Sequence, residues 1–237
     1  MLEYYLLGII LLPGIIFAIW AQTKVTNSYH KWSEILSVGG LTGKEVARFV
    51  LDDNGLNDVR ITSVSGTMTD YYDPRKKIIA LSDGVANSSS IAAIGIAMHE
   101  VGHAIQYKHN YLPIKLRNII IPLSNFVSRM MWPLVITGLV FSFLLFPGST
   151  FGLAILYISV ISFSLAVLLN LVTLPVEFNA SRRAISILEA KGYLMQDELE
   201  GAKKVLGAAA LTYVAALVVA ILNLLRFVLA FLVRNND

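Results

Sequence analysis

Four long apolar blocks, separated by two polar segments and one tight turn, dominate the 237-residue chain. They run Leu6–Trp20, Met131–Phe146, Phe151–Leu174 and about Val205–Val233. A helix needs about 17–25 apolar residues to cross a bilayer core. The third and fourth blocks meet that length directly. The second reaches it only with upstream turns from Ile119–Met130, which include Arg129. The first is short and contains Pro13, yet Met1–Ala21 carries a single charge, Glu3. The pattern therefore predicts four membrane-spanning helices. Nothing basic precedes the first block, so it reads as a signal anchor rather than a cleaved signal peptide.

The polar segment Gln22–Asn118 is long enough for a small domain. Thr42-Gly43-Lys44-Glu45 has the form of a capping box, and Val46, Phe49 and Val50 follow at helical spacing up to Asn54-Gly55. Short β-like runs come next at Val59–Val64, Thr67–Tyr72 and Lys77–Leu81, with Asp73-Pro74-Arg75 as a turn. Ser88-Ser89-Ser90 then offers a cap to a helix over Ile91–Tyr107, which Asn110 and Pro113 end. In the second polar segment, Pro175–Leu206, Pro175 suits a kink or a fresh helix start. A helix over Val176–Ala190 closes with Lys191-Gly192, and another begins near Asp197 and runs into the last block.

Composition supports the membrane reading: 56% of residues are apolar, 15% are charged, and the mean hydropathy is +0.66. There is no cysteine, which excludes disulfides, thiol catalysis and thiolate metal sites. No run of basic residues interleaved with aromatics appears, so nucleic acid is not an expected partner. The net charge of +3 matters less than its distribution. Of 19 Lys and Arg, 12 lie between Ala21 and Trp132 and 5 between Pro175 and Leu206. A hairpin of two spans places both segments on one side, and their charge makes that side cytoplasmic. Arg226 is expected to snorkel to the interface.

The chemistry concentrates in His99-Glu100-Val101-Gly102-His103, the pattern H-E-x-x-H inside a segment that already reads as helix. Residues four apart on a helix differ by about 40° in direction, so both imidazoles face one way. Two neutral nitrogens so placed can hold one Zn²⁺ at about 2.0–2.1 Å. Glu100 lies near the same face and can take a proton from water. A helix with two surface histidines and a solvated glutamate is the plainer alternative. Three specified residues at fixed spacing, beside strands and a second polar segment, weigh against it.

A catalytic zinc site needs a third protein ligand and an open position. His109 has the spacing of H-E-x-x-H-x-x-G-x-x-H, but that motif needs a glycine where this chain has Gln106. On an unbroken helix His109 would point about 120–160° away from the other two. Glu177, in Pro175-Val176-Glu177-Phe178-Asn179-Ala180-Ser181-Arg182-Arg183, follows the third span on the same expected side as His99. A carboxylate at the bilayer edge is costly unless paired or coordinated, so Glu177 is the stronger candidate. Its plainer role would be to complement a helix dipole.

Three segments also resemble the YugP-type neutral zinc metallopeptidases: Thr69–Arg75, Ala97–Gln106 and Glu177–Ala184. The likeness extends to Asp197–Leu206 and covers nearly the whole chain; more distantly, the plan is similar to HtpX and the CAAX prenyl proteases. The resemblance implies a gluzincin with His99, His103 and Glu177 on zinc, and the choice of zinc over other divalent ions is part of that implication. Relatives with a glutamate ligand often carry an aspartate four residues later to orient a histidine, and this chain has Ser181 there. Ser181, Asp70 or Asp73 could fill that place. The family likeness also implies that a strand within Thr67–Leu81 binds an extended peptide by strand addition. Tyr72, Arg182, Arg183 and Tyr193 are candidate oxyanion donors among which the sequence does not choose. Asn87-Ser88-Ser89 fits a glycosylation sequon but reads better as part of a cytoplasmic helix cap.

The expected architecture is an integral-membrane, mainly α protein with a small β-sheet: about four transmembrane helices and a zincin-like domain. Its parts are a signal anchor (1–21), a domain with the H-E-x-x-H helix (22–118), a transmembrane hairpin (119–174), a cytoplasmic helical segment with the third ligand (175–206) and a last span with a short tail (207–237). The expected activity is zinc-dependent hydrolysis of peptide bonds at the cytoplasmic membrane face, with Glu100 as base. Expected partners are a peptide or membrane-protein substrate and the lipid bilayer; the sequence sets no oligomeric state. A zinc-binding scaffold without activity is the alternative, against which the retained Glu100 argues. A transporter ranks last, because the apolar blocks hold few polar groups, such as Asn170 and Asn223.

Overall fold

The structure is a computed structural model that describes residues 8–141 and 150–236. It divides into two compact units: Trp20–Ile114 with Pro175–Thr212, and Met1–Ile19 with Lys115–Leu174 and Tyr213–Asp237. In order, the elements are α1 (Leu12–Ser33), α2 (Gly43–Asp53), β1 (Arg60–Val64), β2 (Tyr71–Asp73), β3 (Ile78–Ser82), α3 (Asp83–Ala86), α4 (Ile91–Lys108), α5 (Leu112–Leu139), α6 (Thr150–Lys191) and α7 (Gln196–Asn236). The protein is thus mainly helical with one small sheet.

Among the described residues two helices, Val160–Lys191 and Gln196–Leu229, are long and apolar enough to cross a membrane, not the four expected. The other two candidates fail for identifiable reasons. Helix α1 turns polar from Gln22 and so has too short an apolar stretch, while Leu6 and Leu7 fall outside the described residues. Helix α5 is punctuated by Arg117, Asn118, Asn125 and Arg129 and contains Pro122 and Pro133. The end of the second block and most of the turn Pro147–Thr150 also fall outside the described residues.

The unit Trp20–Ile114 with Pro175–Thr212 is built around α4. Ser90 caps it, its Oγ accepting from the Ala93 N–H at 3.2 Å. Ala92, Ala93, Ile94, Ala97, Met98, Val101 and Ala104 are all buried, so the helix is covered on nearly every side, as a central core helix must be. Helix α2 packs against it and opens with the expected capping box: Thr42 Oγ1 accepts from Glu45 N–H, and Glu45 accepts from Thr42 N–H. Gly43 permits the contact, since a β-carbon there would lie 2.5 Å from Val85 O and 2.9 Å from Ala93 O.

The sheet has the order β1-β3-β2, with β1 parallel and β2 antiparallel to β3. Strand β3 is central and its Ile79, Ala80 and Leu81 are buried. Strand β2 starts four residues later than its sequence suggests. Gly66 and Met68 take positive φ (109° and 55°), which breaks the extended run before Tyr71. Asp73 Oδ1 then accepts from the N–H groups of Arg75 and Lys76 and forms the anticipated turn.

Helix α6 passes through Pro175 without interruption. Beyond it, Val176, Ala180, Ala184 and Leu188 are fully buried at a spacing of four and form one stripe. The helix stops at Lys191, and Gly192 takes φ +67°, the left-handed conformation that glycine adopts without cost. Helix α7 begins one residue before the expected Asp197. Buried Glu198 accepts from Met195 N–H at its start and from Val38 N–H in the loop before α2.

Candidate metal centre

Helix α4 turns His99 and His103 to one side, with ring centroids 4.7 Å apart. The buried stripe of α6 approaches that side, and Glu177 at its start meets both rings. Glu177 Oε2 lies 3.2 Å from His99 Nε2 and 3.5 Å from His103 Nε2. One ligand atom from each residue lies within 4.8 Å of the others. The approach depends on Gly102. A β-carbon at this position would come 2.5 Å from Ala180 O and 3.2 Å from Ala180 Cα, so any larger residue would push the helices apart. The glycine inside the motif is therefore what lets Glu177 reach the histidines.

The imidazoles are held from behind. His99 Nδ1 lies 3.0 Å from Ser181 Oγ, one turn beyond Glu177 on α6. His103 Nδ1 lies 3.0 Å from Gln106 Oε1. Gln106 is completely buried, and its amide nitrogen donates to Val176 O at 2.7 Å and to Asn179 Oδ1 at 3.1 Å. Those donations fix the amide so that its oxygen faces His103. The imidazole then donates from Nδ1, and in its neutral form Nε2 on the Glu177 side is the nitrogen free to ligate a metal.

Among the described residues these three form a set of nitrogen and oxygen donors that could hold a metal ion. Two imidazoles and a carboxylate suit zinc, which accepts N and O ligands without thiolate. Burial opposes charge on Glu177, but the hydrogen bonds and charges of His103 and His99 outweigh it and hold the carboxyl well below the usual range. At His103 burial opposes protonation, yet contact with Glu177, the charges of Glu100 and Glu177, and Gln106 raise its pKa overall. Both shifts describe donors gathered to share one positive charge.

Glu100 is buried, with 7% of its surface exposed, and its carboxylate makes no hydrogen bond among the described residues. His109 is the C-cap of α4, is exposed, and does not join the cluster. Asp70 accepts from the Ser82 N–H and hydroxyl, and Asp73 makes its turn, so Ser181 is the residue facing His99. Of the candidate oxyanion donors, Tyr72 packs edge-on against Tyr107, and burial first of all pushes its hydroxyl up to about 12, so it stays protonated. Arg183 donates to Asn179, Tyr193 packs on the apolar core, and Arg182 is exposed. Sequence reasoning treated Gln106 only as a missing glycine. Its position one turn after His103 was the available signal.

Comparison with known proteins agrees with this chemistry. No solved structure matches the chain. It is 45% identical over 219 residues to the "Putative membrane protease YugP" of Bacillus subtilis (strain 168), covering 92% of this chain and 93% of that protein. The sequence model of the family described as "Putative neutral zinc metallopeptidase" matches residues 7–232. A match of that extent, over a chain that gathers two histidines and a glutamate at one point, makes this protein a member of that zinc metallopeptidase family.

Proposed function

We propose that this protein hydrolyses peptide bonds as a multi-pass membrane metallopeptidase, with His99, His103 and Glu177 as zinc ligands and Glu100 as general base. One observation carries the reading. A carboxylate 74 and 78 residues away along the chain from the two histidines stands within 3.5 Å of both Nε2 atoms. Zinc bound to such a set supplies Lewis acidity, polarising a carbonyl and making water more acidic. Glu100 takes the proton from the attacking water and delivers it to the departing amine nitrogen, so one water is consumed and one acid and one amine result. Its low exposure, with no hydrogen-bond partner among the described residues, leaves its oxygens available for that transfer.

An extended substrate adds to the sheet along β2, an edge strand whose one partner among the described residues is β3. Tyr72 in that strand contacts Tyr107, one turn past His103, which ties the edge to the helix of the metal ligands. The excess of basic residues in the two polar segments supports a cytoplasmic site.

The test is Glu100→Gln in detergent-purified protein, read for zinc per chain and for cleavage of a peptide library. The variant should keep its zinc and lose about 10²–10⁴-fold in rate. Cleavage at the parental rate would remove Glu100 from the mechanism. Zinc binding without any cleavage by the parent would favour a non-hydrolytic scaffold.

A further inference from the structure

A cleft of about 680 Å³ runs between α1 and α7 within the unit Trp20–Ile114 with Pro175–Thr212. Its α1 wall carries Trp20, Lys24, Ser28 and Lys31, spaced three or four residues apart and therefore on one helix face. Its α7 wall carries Lys204 and, one turn on, Ala208. We infer that this cleft binds the head group of an anionic phospholipid.

Three lysines converge here, and among the described residues no carboxylate lies within salt-bridge distance of any of them. Each leans on an indole instead. Lys24 Nζ is 4.8 Å from the Trp20 ring centre, while Lys31 and Lys204 are 5.3 and 5.7 Å from that of Trp32. Two ammonium groups against one ring repel each other, and an anion bound in the cleft they line would offset that repulsion. Trp32 itself is seated closely: a β-carbon at Gly201 would come 2.5 Å from its ring. That ring is part of the packed fold, so Lys31 and Lys204 share a fixed support.

The floor decides between a lipid and a free phosphate. Gly207, Ala208 and Leu211 continue the cleft along α7 into its apolar stretch. On both helices the cleft lies where polar sequence gives way to apolar sequence, after Ala21 on α1 and from Val205 on α7. Cations and indoles at such a changeover, with small apolar residues beyond, match a charged head group attached to acyl chains. Inorganic phosphate would use the rim and leave the floor unfilled. The sequence shows no such site because its two walls lie more than 170 residues apart.

A lysine near an anionic lipid contributes about fivefold to affinity, so three contribute roughly 100-fold. The experiment compares zinc-loaded full-length protein in detergent with Lys24→Gln/Lys31→Gln/Lys204→Gln. A control, Lys44→Gln/Arg75→Gln/Lys76→Gln, removes the same charge from exposed residues outside the cleft. Binding of phosphatidylglycerol, phosphatidylcholine and inorganic phosphate is measured by native mass spectrometry and by the shift in melting temperature. The parent should prefer phosphatidylglycerol, the cleft variant should bind it roughly 100-fold more weakly, and the control should stay close to the parent. Equal loss in both variants would mean diffuse surface charge and would overturn the site. So would equal binding of the two lipids, or phosphate competing with phosphatidylglycerol at similar affinity. If the triple variant does not fold, Lys204→Gln alone should weaken phosphatidylglycerol about fivefold, and no change there would also overturn the site.

Discussion

Gly102 and Ala180 touch backbone to backbone: the space for a β-carbon on Gly102 is already taken by the Ala180 carbonyl oxygen, 2.5 Å away. The contact lies between the helices that carry the three gathered donors, so packing there should be coupled to metal binding. Gly102→Ala should separate α4 from α6, destabilise the protein by about 1–3 kcal/mol and lower zinc content. Gly207→Ala, in the exposed part of helix α7 with nothing within 4 Å of its β-carbon, should keep the parental zinc content and leave the melting temperature equal or slightly raised. Zinc per chain and melting temperature in detergent check the pair.

The third ligand can be assigned by subtraction. Glu177→Ala should lose zinc, and His109→Ala should retain it, because Glu177 stands 3.2 and 3.5 Å from the histidine nitrogens while His109 is an exposed helix cap. Retention of zinc by Glu177→Ala at parental affinity would remove that residue from the ligand set.

Gln106 orients His103 through its side-chain oxygen and α6 through its side-chain nitrogen. Gln106→Ala should weaken zinc binding by about 10–100-fold in competition with a chelator. Gln106→Glu keeps the acceptor for His103 and should lose less. Ser181→Ala removes a single contact to His99 and should fall between the parent and Gln106→Ala.

In metal-free protein, Glu177 and His103 set opposite pH limits. The lowered carboxyl of Glu177 adds stability that is present above its ordinary value of 4.5 and lost as the pH falls through the folded value. The raised imidazole of His103 adds stability that is complete below 6.5 and lost as the pH rises through its folded value. Zinc needs neutral imidazoles, so its stabilisation grows over that second range. The gap in melting temperature between zinc-loaded and metal-free protein should therefore widen from pH 5 to pH 8. A gap that stays constant would show that protons and metal do not compete at these residues.

The parts of the site legible in the sequence were those set by short-range geometry. Four-residue spacing on a helix fixes the directions of His99 and His103, and the caps at Thr42 and Ser90 are local hydrogen-bond patterns. Glu177 was found because a carboxylate just past an apolar block requires a partner. Of the Nδ1 partners, Ser181 was one of three candidates for His99, whereas Gln106 on His103 was not legible, and the choice among them depends on how closely α6 approaches α4, a distance that a Gly102 read from sequence alone does not give. Strand β2 came out shorter because positive φ at Gly66 and Met68 is a backbone choice that composition does not reveal. The count of spans failed at α1 and α5, where polar residues limit the apolar length in a way that block averages hide.

The separation of Glu177 from His99 by 78 residues also sets an order of events during synthesis. A growing chain that ends before residue 177 carries both histidines and Glu100 but only two of the three gathered donors. Two imidazoles alone hold a metal ion weakly, and no carboxylate yet stands beside them. The intervening apolar sequence has to be made before the set can close. Synthesis thus acts as a timer: a half-made chain lacks one of the three donors, and the full set first comes together after the long apolar stretch between them has been made.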